Sequence, residues 1–227
     1  MPTPKSGYFL KSGRQVPGTT TILGRWKESG GLLQWAGKTG YDQGVAGLPY
    51  NLYAKRDEAG DVGTYIHALV EWHLEGEDPE TKPAPDSSLD TEAVNTGLRG
   101  YGNFLNWEKQ NNLFVMSWEK PLVSEKYAFG GTPDGIFHLA NADKVDLGDW
   151  KSGKRVYADT LLQIAAYILV WEENFPDQPI GGAHVVRFSK SFGDFEHRYF
   201  EDLEKEKIQF LRLREAYDAD KELRKRI

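Results

Sequence analysis

The chain has 227 residues, 39% of them hydrophobic and 27% charged, with a formal net charge of −6. That length can bury a core within one domain. The negative balance excludes a protein that grips nucleic acid with its whole surface, though it leaves room for a local basic groove. Cysteine is absent, which excludes disulfides, cysteine-ligated zinc, iron–sulfur clusters and a thiol nucleophile.

No apolar run approaches a bilayer span. The opening "MPTPKSGYFL" lacks the basic start and apolar stretch of a secretory signal. The expectation is a cytoplasmic protein with no membrane partner, read as one domain over 1–227. Residues 1–20 hold enough Gly and Pro to read as irregular chain or short strand. "TTILGRWKESGGLLQWAGKTG" begins with a candidate Thr cap and predicts one or two short helices. A helix is predicted over 61–75, with Ile66, Leu69, Val70 and Leu74 as its buried stripe. From Asp57 to Glu92 the chain carries eleven Asp or Glu and one Lys, which reads as an acidic solvated surface. Pro79, Pro83 and Pro85 mark a loop over 75–88, and a second helix is predicted over 91–110.

The composition then changes. Residues 113–151 are rich in β-branched and aromatic side chains. Turn signals at Ser124-Glu125 and Asn141–Asp143 divide them into three strands near 113–122, 127–140 and 143–151. A helix over 158–174, a strand pair in "GGAHVVRFSK" and "DFEHRYF", and a closing helix from about 201 complete the chain. Helices, three strands, a helix, two strands and a helix make an α/β protein, with a central mixed β-sheet flanked by helices.

The chemistry collects around "GGTPDGIFHLANADKVDLGDWKSG" (130–153). Side chains alternate along a strand, so Asp149 and Lys151 share a face and Trp150 takes the other. If the strands pair about Asn141–Asp143, Asp134, late in its strand, stands opposite Asp149. Two carboxylates so placed repel unless a cation neutralises them, and a hard divalent ion suits oxygen ligands. A neighbouring lysine fits a phosphate-ester substrate. By itself, Asp-x-Lys is equally at home on a solvated strand edge.

Two helical pairs add to the pattern. His67 and Glu71 are four apart on one helix face, bordering the apolar stripe. A histidine there is commonly a structural hydrogen-bonding residue, yet it is also a third ligand of the kind two aspartates lack. Gln163 and Tyr167 repeat the spacing on the helix after the lysine strand.

"GTYIHALVE", "GGTPDGI", "DWKSG" and "QIAAY", in this order, resemble the RecB-like nucleases of the PD-(D/E)xK superfamily. Within these the chain is most similar to small phage and bacterial exonucleases related to the mitochondrial genome maintenance exonuclease. "VPGTTTIL", "LLQWAGKTG" and "KRDEAGDVGT" resemble the lead-in of those proteins, so the likeness runs from about Val16 to Phe188. It implies a restriction-endonuclease-like core and a Mg²⁺- or Mn²⁺-dependent DNA exonuclease acting on single strands or ends in replication, recombination or repair. The products would carry 5′-phosphate and 3′-hydroxyl ends, and a replication or recombination protein could be a partner.

By position, the resemblance makes His67, Asp134, Asp149 and the Trp150 carbonyl the metal ligands, and Lys151 the catalytic lysine. Glu71 supports the helix side of the site, and Gln163 and Tyr167 position the lysine strand and contact the DNA. Lys154, Arg155, Ser152 and Arg187 are candidate DNA contacts, and Glu119 matches a glutamate on the first strand. Positive potential would come from Lys11, Arg14, Arg25, Lys27, Lys38, Lys55 and Arg56. Trp26, Trp35 and Tyr157 are candidates for stacking on bases, with core packing favoured for Trp35. The cluster-binding cysteines of many relatives are missing, as is a helicase motor loop. A non-catalytic DNA-binding module and a structure-dependent endonuclease stand as alternatives.

Overall fold

The computed structural model describes residues 4, 6–27, 30–48, 54–139, 144–153, 155–188 and 194–227, without the side chains of 31, 32, 54–61 and 139. A two-residue hairpin, β1 (Tyr8–Phe9) with β2 (Gln15–Val16), leads into α1 (Thr19–Gly24), α2 (Gly30–Val45) and α3 (Ala54–Leu74). Then come α4 (Thr91–Asn111), β3 (Leu113–Trp118), β4 (Leu122–Ser124), β5 (Phe129–Gly131), β6 (Gly135–Leu139) and β7 (Val145–Ser152). The chain closes with α5 (Ala158–Asn174), β8 (Ile180–Phe188), β9 (Phe195–Phe200) and α6 (Glu204–Arg224).

The central sheet has five strands in the order β3-β6-β7-β8-β9. β7 and β8 run parallel, joined by the α5 crossover, and the other pairs are antiparallel. The mixed sheet flanked by helices is as expected. Alternation along β7 sends Leu147 to one face and Trp150 to the other. On the first face Ile136, Leu147 and Val185 pack with Ile164 and Ile168 of α5 and Phe210 of α6. On the second, Phe137, Trp150, Val186 and Phe188 pack with Ile66 and Val70 of α3 and with Phe104 and Trp107 of α4.

Several boundaries differ from the sequence expectation. α3 begins at Ala54 rather than 61, and α2 is a single 16-residue helix. No threonine caps α1: its N-cap is Gly18, and the Thr19 hydroxyl instead donates to the Gly130 carbonyl at 3.0 Å. The first two predicted strands are each broken in two. β4 and β5 leave the main sheet as a hairpin of their own, turned through Glu125–Ala128. Asp134 therefore lies just before β6, not late in a strand. Because β6 and β7 are antiparallel with Gly135 opposite Gly148, the start of one still meets the end of the other. The Asn141–Asp143 turn lies outside the described residues.

Candidate active site

Asp149 and Lys151 sit near the end of β7, on the α5 face, and Asp134 on the loop entering β6. The Trp150 backbone N–H donates to Asp134 Oδ2 at 2.7 Å, which fixes that carboxylate beside Asp149. Lys151 Nζ lies 2.5 Å from Asp149 Oδ2. Both aspartates are essentially inaccessible to solvent, at 1% and 0%. Asp134 Oδ1 and Asp149 Oδ1 are buried and accept no hydrogen bond. Carboxylate oxygens left without partners in a dry setting are costly.

Protonation follows from this. Burial, then the charge of Asp149, push the Asp134 carboxyl up to about 8, against the opposing pull of Lys151 and the Trp150 N–H. Burial also raises Asp149, with Lys151 working the other way. For Lys151 burial disfavours the charge, but Asp149 and Asp134 outweigh it and hold the ammonium above its ordinary range. Lys151 is thus a permanent cation. Both shifts favour a proton kept on the aspartate pair near neutral pH.

The donor set fits a divalent ion. Two buried carboxylates with unoccupied lone pairs are what Mg²⁺ or Mn²⁺ takes from protein when substrate and water complete the shell. Among the described residues no three His, Asp or Glu side chains form a group that could hold a metal ion. His67 and Asp134 line one narrow crevice together with Glu71, Leu74, Trp118, Glu119 and Trp150. Burial, then Glu75, raise Glu71; burial, then Glu71, raise Glu119.

Behind the aspartates stands a buried polar wall. Gln163 Nε2 donates to the Tyr167 hydroxyl at 2.7 Å, and both side chains are buried. Burial and the charges of Asp134 and Asp149 push the Tyr167 hydroxyl well up, so it stays neutral.

The N-terminal lead-in holds the aspartate loop in place. Gly130 N–H donates to the Pro17 carbonyl at 2.9 Å, and the Tyr8 hydroxyl bonds the Thr132 hydroxyl at 2.9 Å. A Cβ on Gly130 would lie 2.0 Å from Tyr8 Cγ, and one on Gly131 would lie 2.8 Å from the Tyr167 ring. The two glycines thus let two tyrosines close over the strand that delivers Asp134. Tyr8, Thr19 and Thr132 were missed in the sequence. Their partners are 124 and 111 residues away, and no local pattern marks such pairs.

The remaining residues are more dispersed. Arg187 is buried, and its guanidinium is engaged by Asp194 at 2.6 Å, Glu196 at 2.8 Å and the Gly153 carbonyl at 3.1 Å. Ser152 is half-buried at the end of β7. Arg155 is exposed and lies over the Tyr157 ring, 4.9 Å from its centroid. Lys154 lies outside the described residues, as do the side chains of Lys55 and Arg56. Lys27 pairs with Asp159 and Arg25 with Asp220. Trp26 is exposed and Trp35 half-buried.

No family model matches the chain, and no curated protein matches it. Solved structures similar to it include a putative exonuclease from Eubacterium rectale, at 10% identity over 68% of this chain and 64% of that one, with a TM-score of 0.45. An alkaline exonuclease, LHK-Exo, from Laribacter hongkongensis is similar at 14% identity over 74% of this chain and 92% of that one, with a TM-score of 0.34. The same enzyme in complex with dAMP is similar at 13% identity over 75% and 92%, with a TM-score of 0.35. What the site can do follows from its own residues.

Proposed function

We propose that the chain is a metal-dependent deoxyribonuclease of RecB-like type that shortens DNA from its ends, with single-stranded DNA as the preferred substrate. Replication, recombination or repair in a bacterium or its phage is the setting this reading suggests. One observation carries it: two fully buried aspartates with unpartnered oxygens beside an ion-paired lysine. A solvated strand edge has no reason to bury two carboxyl groups side by side. A cation site for phosphate chemistry does.

Asp134 and Asp149 would hold Mg²⁺ or Mn²⁺, with His67 and the Trp150 carbonyl completing the protein's share. Once bound, the ion would supply positive charge to a scissile phosphate and acidify a water. The Trp150 N–H keeps Asp134 aimed. Lys151, fixed by Asp149, donates toward phosphate or attacking water and offsets the negative charge that grows in the transition state. As a permanent cation it serves as donor and charge, not as base. Gln163 and Tyr167 close the rear of the site to solvent. Arg155 offers phosphate contact near the end of β7.

The test is end-labelled linear DNA, single- and double-stranded, incubated with Mg²⁺, Mn²⁺ or EDTA. Stepwise shortening that needs metal and is lost by at least about a thousandfold in Lys151→Ala is the expected result. Full activity in that variant, or no cleavage of any linear or circular DNA with either metal, would overturn the reading.

A further inference from the structure

β3 carries a β-bulge. Val115 pairs with Phe137, but Ser117 pairs with Ile136 and Trp118 with Gly135, which leaves Met116 as the extra residue. A bulge re-aims the side chains that follow it. Simple alternation would put Trp118 on the same face as Phe114, away from Val115. The extra residue turns Trp118 onto the face of Phe137 and Trp150, so its indole lines the candidate active-site crevice. It does not sink into the core there, remaining 36% exposed.

The next residue is also unusual. Glu119 has φ of +39°, a conformation few non-glycine residues adopt. Its N–H donates to the Asp134 carbonyl at 3.2 Å. The strained turn that ends β3 is therefore tied to the loop bearing a site aspartate, and backbone strain of this sort gathers at functional sites. The structure spends a bulge and a positive φ to hold a half-exposed indole at this mouth.

Charge says what that indole receives. Glu71 and Glu119 share the crevice with Trp118, while Asp149 and the cation Lys151 lie outside its lining. A phosphate is repelled on the glutamate side and attracted on the lysine side. A flat, uncharged group laid on the exposed part of the indole is not repelled by the glutamates. We infer that Trp118 stacks on an unpaired base next to the scissile phosphate, so that the substrate is single-stranded DNA or a frayed or overhanging end. A base inside a duplex is stacked and paired, and would have to leave the helix to reach the indole. This inference rests on the nuclease reading above.

The experiment compares wild type, Trp118→Ala, Trp118→Phe and Trp118→Leu. Binding to a labelled single strand and to a blunt duplex of the same sequence is followed by fluorescence anisotropy in EDTA, and cleavage of both is measured with Mg²⁺. Base–aromatic stacking predicts a loss of about tenfold or more in single-strand affinity for Ala and Leu. The Phe variant should recover most of it. The preference for single strand over blunt duplex should fall in parallel. Leu keeps the apolar bulk without the π-face, so it separates stacking from packing, and thermal melts confirm that each variant folds. Wild-type single-strand affinity and preference in both Ala and Leu would reject the stacking role while leaving the nuclease intact. A wild-type protein that neither binds nor cuts DNA would reject both.

Discussion

Replacing Asp134 with Asn should make the metal-free protein more stable while abolishing cleavage. Asn has the shape of the protonated carboxyl, and its side-chain oxygen can still accept from the Trp150 N–H. In the folded protein burial and Asp149 raise Asp134 from 3.8 to about 8. A carboxyl with a raised folded-state pKa binds its proton more tightly folded than unfolded. Stability is therefore lost as pH climbs from about 4 to about 8. At about 1.4 kcal/mol per tenfold, the wild type forfeits up to about 2 kcal/mol by pH 5 and up to about 4 kcal/mol by pH 7. Asn forfeits none of this. In EDTA, chemical or thermal denaturation should show Asp134→Asn ahead at both pH values, with the larger margin at pH 7. At about 2–4 °C per kcal/mol for a chain of this size, that margin is roughly 10 °C in Tm. Adding Mg²⁺ should narrow it, because the ion stabilises only the wild type. A variant less stable than wild type, or an advantage that does not grow with pH, would refute the reasoning.

Two further outcomes are expected away from the metal nucleus. His73 bonds Glu108 at 2.7 Å and Glu77 at 2.5 Å, and the bond to Glu108, opposed by burial and aided by Glu77, raises its pKa. A raised histidine stabilises the fold fully below about pH 6.5 and loses that contribution as pH rises through the folded-state value. His73→Gln should therefore cost about 2 kcal/mol at pH 5.5 and clearly less at pH 9 in denaturant titrations. An equal cost at both would deny the charge. Gly130→Ala would set a methyl 2.0 Å from Tyr8 Cγ, displacing the N-terminal hairpin and breaking the Tyr8–Thr132 bond. The expected loss is about 2–3 kcal/mol, with faster protease cleavage before residue 17. A wild-type melt would show that the hairpin does not brace the aspartate loop.

Local pattern sufficed for parts of this molecule. The helix over 158–174 is bounded in the structure as its periodicity implies, at Ala158–Asn174. The placing of Asp149 and Lys151 opposite Trp150 follows from strand alternation alone. The strands before β7 were harder to read. The stretch from 127 to 140 reads as one strand by its aromatic and β-branched residues, yet it leaves one sheet and joins another at Thr132–Asp134. Gly130, Gly131 and the Pro133-Asp134-Gly135 turn signal mark that break in the sequence. Pairing decides where each half goes, locally through β4 and over long range through Pro17 and Tyr8.

Trp118 shows the same limit. Alternation assigns it to the face of Phe114, and only the mismatch between β3 and β6 turns it toward the crevice. What the residues dictate by their own chemistry is the alternation of each strand, the stripe of each helix, and the presence of two aspartates and a lysine at neighbouring positions. Burial, the aspartate oxygens left without a hydrogen bond, and the closing of Tyr8 over Gly130 and of Tyr167 over Gly131 arise from packing between separate segments, Tyr8 and Gly130 being over a hundred residues apart. Desolvation depends on everything that surrounds a group, so the feature that distinguishes this candidate site exists only once the chain is folded.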